Sequence, residues 1–417
     1  MPAVTPPVPA PLPHRAVRGN TGGRTASFAL NASVLATLLA ASSAPTPLYP
    51  HYQDAWGLSA LTITVVFSAY ALALLLALLT TGSLSDHLGR RPVLAGALAL
   101  GAVSMLLLAT ADGAGDLITA RILQGSATGA ATSAAGAALL DLEDPLRPGR
   151  SALTNSIAPV AGMAVGVLVS TLLAPAGAVG VYLVPAVLFA AQAVAVSFTA
   201  ETAHPHAGAL RSLRPRLAVA PQARRALLVA GTAVVAIWAL GGFYSSLGPS
   251  LVHLVAPAAP QSAGGMVFFT LTAAATLTVW TLRRSAPRTA VTGGGLAVLP
   301  AGALALGGLH GAGLPAVCGG AALAGIAFGA VSQGALRMTL TGLPEHERAA
   351  TLAAYYVLSY LSMSLPAIAA GAATQRYGLA TATHAYAVAT ALLAAAALGA
   401  LAAARHRDLR GAPDGLP

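Results

Sequence analysis

The chain reads as an all-α integral membrane protein with twelve transmembrane helices in two six-helix halves. Composition, segment count and the placement of arginine predict this. Of 417 residues, 56% are hydrophobic and 8% charged, with a mean hydropathy of +0.74. A soluble globular domain carries about 25% charged residues.

A membrane span needs about 20 mostly apolar residues. Twelve segments satisfy that length: 26–47, 58–81, 92–111, 116–139, 152–174, 177–199, 226–247, 263–282, 289–309, 313–336, 350–372 and 380–403. The longest polar interruption, 200–225, separates the sixth from the seventh. The expected organisation is therefore an N-terminal bundle at 25–199, a linker at 200–225, a C-terminal bundle at 226–403 and a tail at 404–417.

All 22 basic residues are arginines. Twenty of them lie in the N-terminal tail, in the connections after even-numbered spans and in the C-terminal tail. The opposite side holds only Arg376, and Arg121 lies within a span. By the positive-inside rule both termini are cytoplasmic. One missed span would scramble this alternation, so the arginines also check the count. The net charge of +10 follows from topology and implies no nucleic-acid partner. Arginine without lysine, among abundant alanine and glycine, points to a GC-rich bacterial genome and hence to a bacterial inner membrane. The single Cys318 allows no intramolecular disulfide.

Residues 1–24 are proline-rich, carry Arg15, Arg18 and Arg24, and read as a disordered cytoplasmic tail. The apolar run that follows is long enough to span and is no cleavable signal. Between spans two and three lies Gly82-Ser-Leu-Ser-Asp86-His87-Leu-Gly89-Arg90-Arg91. It is a charged turn in which Asp86 can cap a helix and the arginines can face phosphates or acidic side chains.

This loop resembles the signature of the major facilitator superfamily, G-x-x-x-D-R-x-G-R-R/K. It matches at Gly82, Asp86, Gly89, Arg90 and Arg91, and departs from it at His87. The resemblance covers essentially the chain beyond residue 24. It implies two pseudo-symmetric bundles that rock about a midplane site in a monomer, with no cofactor and a proton gradient as driving force. It also implies that Asp86 caps the cytoplasmic end of span eleven, near Ala349 or Ala350, in the outward-facing state. Arg90 and Arg91 would then meet Asp141, Glu143 or Asp144. His87 either adds pH sensitivity or is a tolerated substitution. The basic linker is either a lipid-lying amphipathic segment or an unstructured tether.

Span four carries Arg121, Gln124, Gly125 and Gly129. An arginine at membrane depth is a functional hypothesis by default, and this pattern resembles the superfamily's fourth-helix motif, whose arginine is associated with proton coupling or substrate binding. The competing reading has Arg121 snorkel outward to Asp112 or Asp116. Gly125, Gly129 and Ser133 make a small-residue stripe. In span five, Ala158, Gly162, Gly166 and Ser170 recur every fourth residue beside Pro159. The run resembles a weakened drug-antiporter motif, and ordinary tight packing also accounts for it.

In the second half, Trp238 and Tyr244, and Tyr355, Tyr356 and Tyr360, either line a cavity or belong to the interfacial aromatic belt. Asn31, Asn155, Gln192 and Gln333 are cavity candidates or interhelical hydrogen-bonding groups. None of the 12 acidic residues falls in the middle of a span. An enzyme is disfavoured by the lack of paired carboxylates or a metal-spaced Cys/His cluster, and a nucleotide-driven pump by the lack of any lysine for a phosphate-binding loop. Two transporter readings remain for a small-molecule substrate: proton-coupled export of a hydrophobic drug, antibiotic or metabolite, and uptake or facilitated passage of a sugar-like or organic metabolite.

Overall fold

The computed structural model describes residues 21–410 except residue 216. Those residues contain no strand and twelve long helices. In the first half these are α1 Thr21–Ser43, α2 Ala60–Thr81, α3 Arg90–Ala109, α4 Ala114–Asp141, α5 Arg150–Leu173 and α6 Ala178–Ser197. In the second they are α7 Pro221–Ser246, α8 Ser262–Thr281, α9 Pro287–Gly307, α10 Gly313–Leu340, α11 Glu345–Tyr377 and α12 Leu379–Arg410. Short helices at Tyr49–Trp56 and Gly248–Val255 extend the ends of α1 and α7.

Ten stretches are long and apolar enough to cross a membrane. They take in eleven of the twelve helices, because Pro287–Leu340 joins α9 and α10 in one run. Only α4 falls outside, and it is the helix that carries Arg121 and Gln124.

Local chemistry sets the helix ends. Ser59 caps α2 by accepting from the Thr62 N–H at 3.1 Å. Pro221 and Pro287 open α7 and α9, where a missing N–H costs nothing. Several ends differ from expectation. Helix α1 begins at Thr21, so 21–24 are helical, and Arg24 donates to the carbonyls of Leu142 and Glu143 at the end of α4. The expected tail at 1–20 lies outside the described residues. Because α7 starts at Pro221, Arg224 and Arg225 belong to a helix, and the linker ends at 220 with one short helix, Ala209–Ser212. Alanine-rich α12 runs to Arg410, through much of the expected tail.

Packing repeats between the halves. Helix α1 packs on α4, α5 and α6 as α7 packs on α10, α11 and α12; α2 packs on α4 as α8 does on α10. Glycines make the close approaches. A Cβ at Gly125 or Gly129 would collide with the Tyr70 or Leu74 carbonyl of α2, and 200 residues later Gly325 and Gly329 stand in the same relation to the Leu271 and Ala275 carbonyls of α8. Each half has its own apolar core, and each core includes one buried residue of the other half: Val167 from α5 and Ala367 from α11. These two also lie 200 residues apart. The chain is thus two copies of one six-helix plan.

The halves meet through α2 on α11 and α5 on α8. The close contacts cluster at the face opposite Asp86: Gly371 on Thr64, Gly265 on Thr171 and Pro47, and Ser250 Oγ donating to Gln53 Oε1 at 2.9 Å. At mid-height Ser68 Oγ donates to the Ser364 carbonyl at 3.2 Å. The bundles are closed at that far face.

Candidate functional site

Arg121 stands eighth in α4 and is 1% exposed. It does not snorkel. Its NH1 group donates to the Ser42 carbonyl of α1 at 3.2 Å and to Gln124 Oε1 at 2.5 Å. The guanidinium carbon lies 4.2 Å from the centroid of the Tyr70 ring. Neither Asp112 nor Asp116 reaches it; the Asp116 carboxylate instead accepts from the Asp112 N–H. The ion pairs among the described residues, Arg90 with Asp86 and Arg90 with Asp141, lie at the other end of the bundle. Arg121 is therefore a buried cation with no carboxylate beside it. Its Nε, the Gln124 Nε2 and the Tyr70 hydroxyl have no hydrogen-bond partner, so two obligate donors and one hydroxyl stand open here.

Tyr70 links this group to the second half. It is eleventh of the 22 residues of α2, and its cluster packs against Tyr360 and Met363 of α11. Tyr360 meets Trp238 edge-on at 5.2 Å between centroids, Trp238 meets Phe328 of α10 at 5.2 Å, and Tyr356 lies 6.1 Å from Tyr360. Trp238, Tyr356 and Tyr360 are half-buried residues. The structure thus joins Arg121, Gln124, Trp238, Tyr356 and Tyr360 in one run of contacts across the bundle interface. Gln333, with an unpartnered Oε1, lies on α10 as Phe328 does, one turn further along.

The other polar candidates act as interhelical or local ties. Asn31 is buried in the first bundle and donates to the Ser27 carbonyl of its own helix. Asn155 donates to the Gly136 carbonyl at 3.4 Å, joining α5 to α4. Gln192 donates to Ser33 and Thr37 of α1. Tyr244 is 2% exposed inside the second bundle, near Gly320. Pro159 lies within α5, and Gly162 and Gly166 press on the Ala36 and Ala40 carbonyls of α1.

At the loop face, Gly82 ends α2 and the signature residues form one network. Arg90 donates to Asp86, to Ser85 Oγ at 2.8 Å and to Asp141 Oδ2 at 3.2 Å. Asp86 stays within its own loop, and α11 begins at Glu345 with no side-chain cap from it. The family resemblance implies that cap for the outward-facing state, whereas here the bundles are closed at the far face. Arg91 is exposed.

Glu201, the one acidic residue of the linker, was not singled out from the sequence. Its carboxylate accepts the N–H groups of Arg90 at 2.8 Å and Arg91 at 3.1 Å, so it caps α3. Gly89 makes room for it: its φ is +103°, and a Cβ there would sit 3.0 Å from the Glu201 carboxyl carbon. His87 completes the dock, stacking on His206 at 4.1 Å and accepting from the His206 N–H through its carbonyl. The linker is tied to the signature loop.

Burial raises the Glu201 carboxyl, and the N–H groups of Ala203, Arg90, Arg91 and Thr202 together outweigh it and hold the carboxyl below its ordinary value. A depressed folded value means that this docking energy is fully present above the ordinary value and is lost as pH falls through the lowered one. Glu201→Gln leaves one acceptor where two served. Hydrogen exchange at the Arg90 and Arg91 amides and across 201–208 is expected to speed up about 10-fold, roughly one lost charge-assisted hydrogen bond. Unchanged protection would leave Glu201 without that role.

Comparison with known proteins agrees with this architecture. The Major Facilitator Superfamily model matches residues 32–367. A bacterial homologue of the human lysosomal transporter Spinster, inward-facing and unoccupied, superposes with a TM-score of 0.73 at 13% identity, over 92% of this chain and 98% of that one. The nucleoside transporter NupG gives 0.68 at 14% identity, over 90% and 98%. The human organic anion transporter MFSD10 gives 0.66 at 19%, over 90% and 99%. At these identities the likeness concerns fold. Among curated proteins, sequence comparison finds no match. The family match, together with the signature loop and the repeated six-helix plan, identifies this chain as a multi-pass membrane protein that belongs to the major facilitator superfamily.

Proposed function

We propose that the protein is a secondary active transporter that exports a small hydrophobic compound, such as a drug, antibiotic or metabolite, by alternating access. It works as a monomer in a bacterial inner membrane, with both termini cytoplasmic and the proton gradient as driving force. The observation that carries this reading is Arg121, buried without a carboxylate and joined through Tyr70 to the opposite bundle. Keeping such a charge at membrane depth costs about 3 kcal/mol, which selection tolerates where a path for solute or ions needs it. With the arginine-rich face inside, bundle contacts concentrated at the far face and mid-height correspond to an inward-facing arrangement. Export is supported by the antiporter-like run at Pro159 and Gly162. An arginine does not release its proton, so its part in coupling is electrostatic. It sets which charges enter the path.

A second reading, uptake or facilitated passage without protons, is favoured by one observation: among the described residues, none of the residues joined across the bundle interface is acidic. Proteoliposomes with an internal pH dye separate the two. Under an imposed pH gradient, addition of a hydrophobic antibiotic or dye is expected to dissipate the gradient, and Arg121→Ala to abolish that response. Counterflow of a labelled metabolite with no proton movement for any compound would replace export by facilitated passage.

A further inference from the structure

We infer that the solute is an organic anion with a flat apolar body, its carboxylate or sulfonate held by Arg121 and Gln124 and its body seated among Tyr360, Trp238 and Phe328. The inference deepens the transporter reading above and rests on it. Three features carry it.

Charge comes first. The side chain of Arg121 is 1% exposed and that of Gln124 is 1% exposed, and no carboxylate pairs with either. The Arg121 Nε and Gln124 Nε2 both lack an acceptor. Both atoms are obligate donors, so whatever completes this group must bring acceptor oxygens or a negative charge. A cationic solute about 6 Å from the guanidinium, at an effective dielectric near 20, is disfavoured by roughly 100-fold. An anion is favoured by a similar factor.

Shape comes second. The cationic end lies in the first bundle and the aromatic end in the second, with Tyr70 between them. Tyr70 stacks on the guanidinium and belongs to the cluster that packs against Tyr360. Tyr360, Trp238 and Phe328 follow at about one ring spacing each, 5.2 Å between successive centroids from Tyr360 through Trp238 to Phe328. Aromatic edges and faces at such spacings accept another flat ring. Trp238 and Tyr360 retain accessible surface where Arg121 has almost none. The solute body can therefore rest on the rings, and the charged group reaches Arg121 by displacing or sharing the Tyr70 ring.

Placement comes third. Tyr70 and Tyr360 both stand at the middle of their helices, eleventh of 22 and sixteenth of 33. A solute bridging the two bundles there touches both moving bodies. Its anionic end answers to one and its apolar end to the other, which is what alternating access requires of a ligand that couples them.

The test uses the full chain in lipid nanodiscs and three isosteric probes: 1-naphthoate, 1-naphthamide and 1-naphthylmethylammonium, titrated by calorimetry. Naphthoate is expected to bind at least about 10-fold more tightly than naphthamide, the step for losing a charge-assisted hydrogen bond, and the ammonium to bind most weakly. Arg121→Gln is expected to weaken naphthoate about 10-fold or more and naphthamide, which loses only a neutral acceptor's hydrogen bond, by less; Trp238→Ala is expected to weaken both alike. Should Arg121→Gln fail to fold, Gln124→Leu, which retains the cation, is expected to weaken naphthoate several-fold and naphthamide by less. Equal binding of naphthoate and naphthamide, tightest binding of the ammonium, or no binding of naphthoate overturns the inference. Labelled-naphthoate counterflow in proteoliposomes separates the two levels. Binding of naphthoate with no transport of any compound keeps this site and removes the transporter reading, whereas antibiotic-driven proton flux with no naphthoate binding does the reverse.

Discussion

Arg121→Met is expected to raise thermal stability while sharply lowering transport. The side chain is buried near membrane mid-depth with two hydrogen bonds from one terminal nitrogen, one stacking contact and no counter-ion. Interhelical hydrogen bonds in membranes average about 0.6 kcal/mol each, and a cation over a tyrosine ring adds about 1 kcal/mol. Against this stands a burial cost of about 3 kcal/mol for arginine at the centre of a span. Burial wins by about 1 kcal/mol, so a methionine of similar length should increase the unfolding temperature by about 1 °C. Gln124→Leu in the same chain removes the amide left behind and is expected to widen the gain. Transport should fall by about 10- to 100-fold, the value of a charged hydrogen-bonding partner. A structural arginine would give the opposite pairing, with stability lost and residual transport in proportion to the protein that remains folded. Thermal unfolding and proteoliposome flux on the same preparation decide between them.

The membrane fold was legible because it rests on one-dimensional quantities. Length and apolarity gave the spans, with differences at ends such as Thr21, Pro221 and Arg410. Those ends are set by capping and alanine-rich propensity, which hydropathy does not register. The repeat was also written in the chain: Gly325 and Gly329 of α10 stand 200 residues after Gly125 and Gly129, and the same G-x-x-x-G spacing in span ten was available to find them. The site was half legible. Arg121 and Gln124 stand out because polar groups at membrane depth are costly, and the ambiguity between snorkelling and burial ended only with the rotamer, which turns inward to Ser42. Tyr70 was missed, since one tyrosine in an apolar span carries no pattern; its role depends on which helix faces which. Glu201 had a signal, being the lone acid in a basic linker, but its partner amides belong to a helix 110 residues earlier. Asp86 shows a further limit: a sequence carries every state of a transporter, and the structure holds the one in which this residue pairs with Arg90.

Gly162→Ala is expected to be among the most damaging single-methyl changes in the chain. A Cβ at Gly162 would overlap the Ala36 carbonyl and lie 2.8 Å from the Ala36 Cα, all backbone atoms of α1. No side-chain rotamer relieves that contact, so α5 must move away from α1. Overpacking of this kind costs about 1–3 kcal/mol, and Gly166, pressed likewise on the Ala40 carbonyl, limits any compensating tilt. The unfolding temperature should drop by about 1–4 °C and folded yield should fall with it. Gly180→Ala on α6 provides the control, because a Cβ there meets nothing within 4 Å; helix propensity alone makes it neutral or stabilising by up to about 1 kcal/mol. Gly325→Ala on α10, the repeat counterpart of Gly125→Ala on α4, should be damaging for the same reason, its Cβ lying 2.9 Å from the Leu271 carbonyl carbon. The comparison also separates the two readings of the span-five run. If Pro159 and Gly162 serve the solute path directly, Gly162→Ala would lower flux per folded molecule at unchanged unfolding temperature. If they serve packing of α5 on α1, stability falls first and flux per folded molecule follows only as far as the displaced helix disturbs the α5–α8 contact with the other bundle.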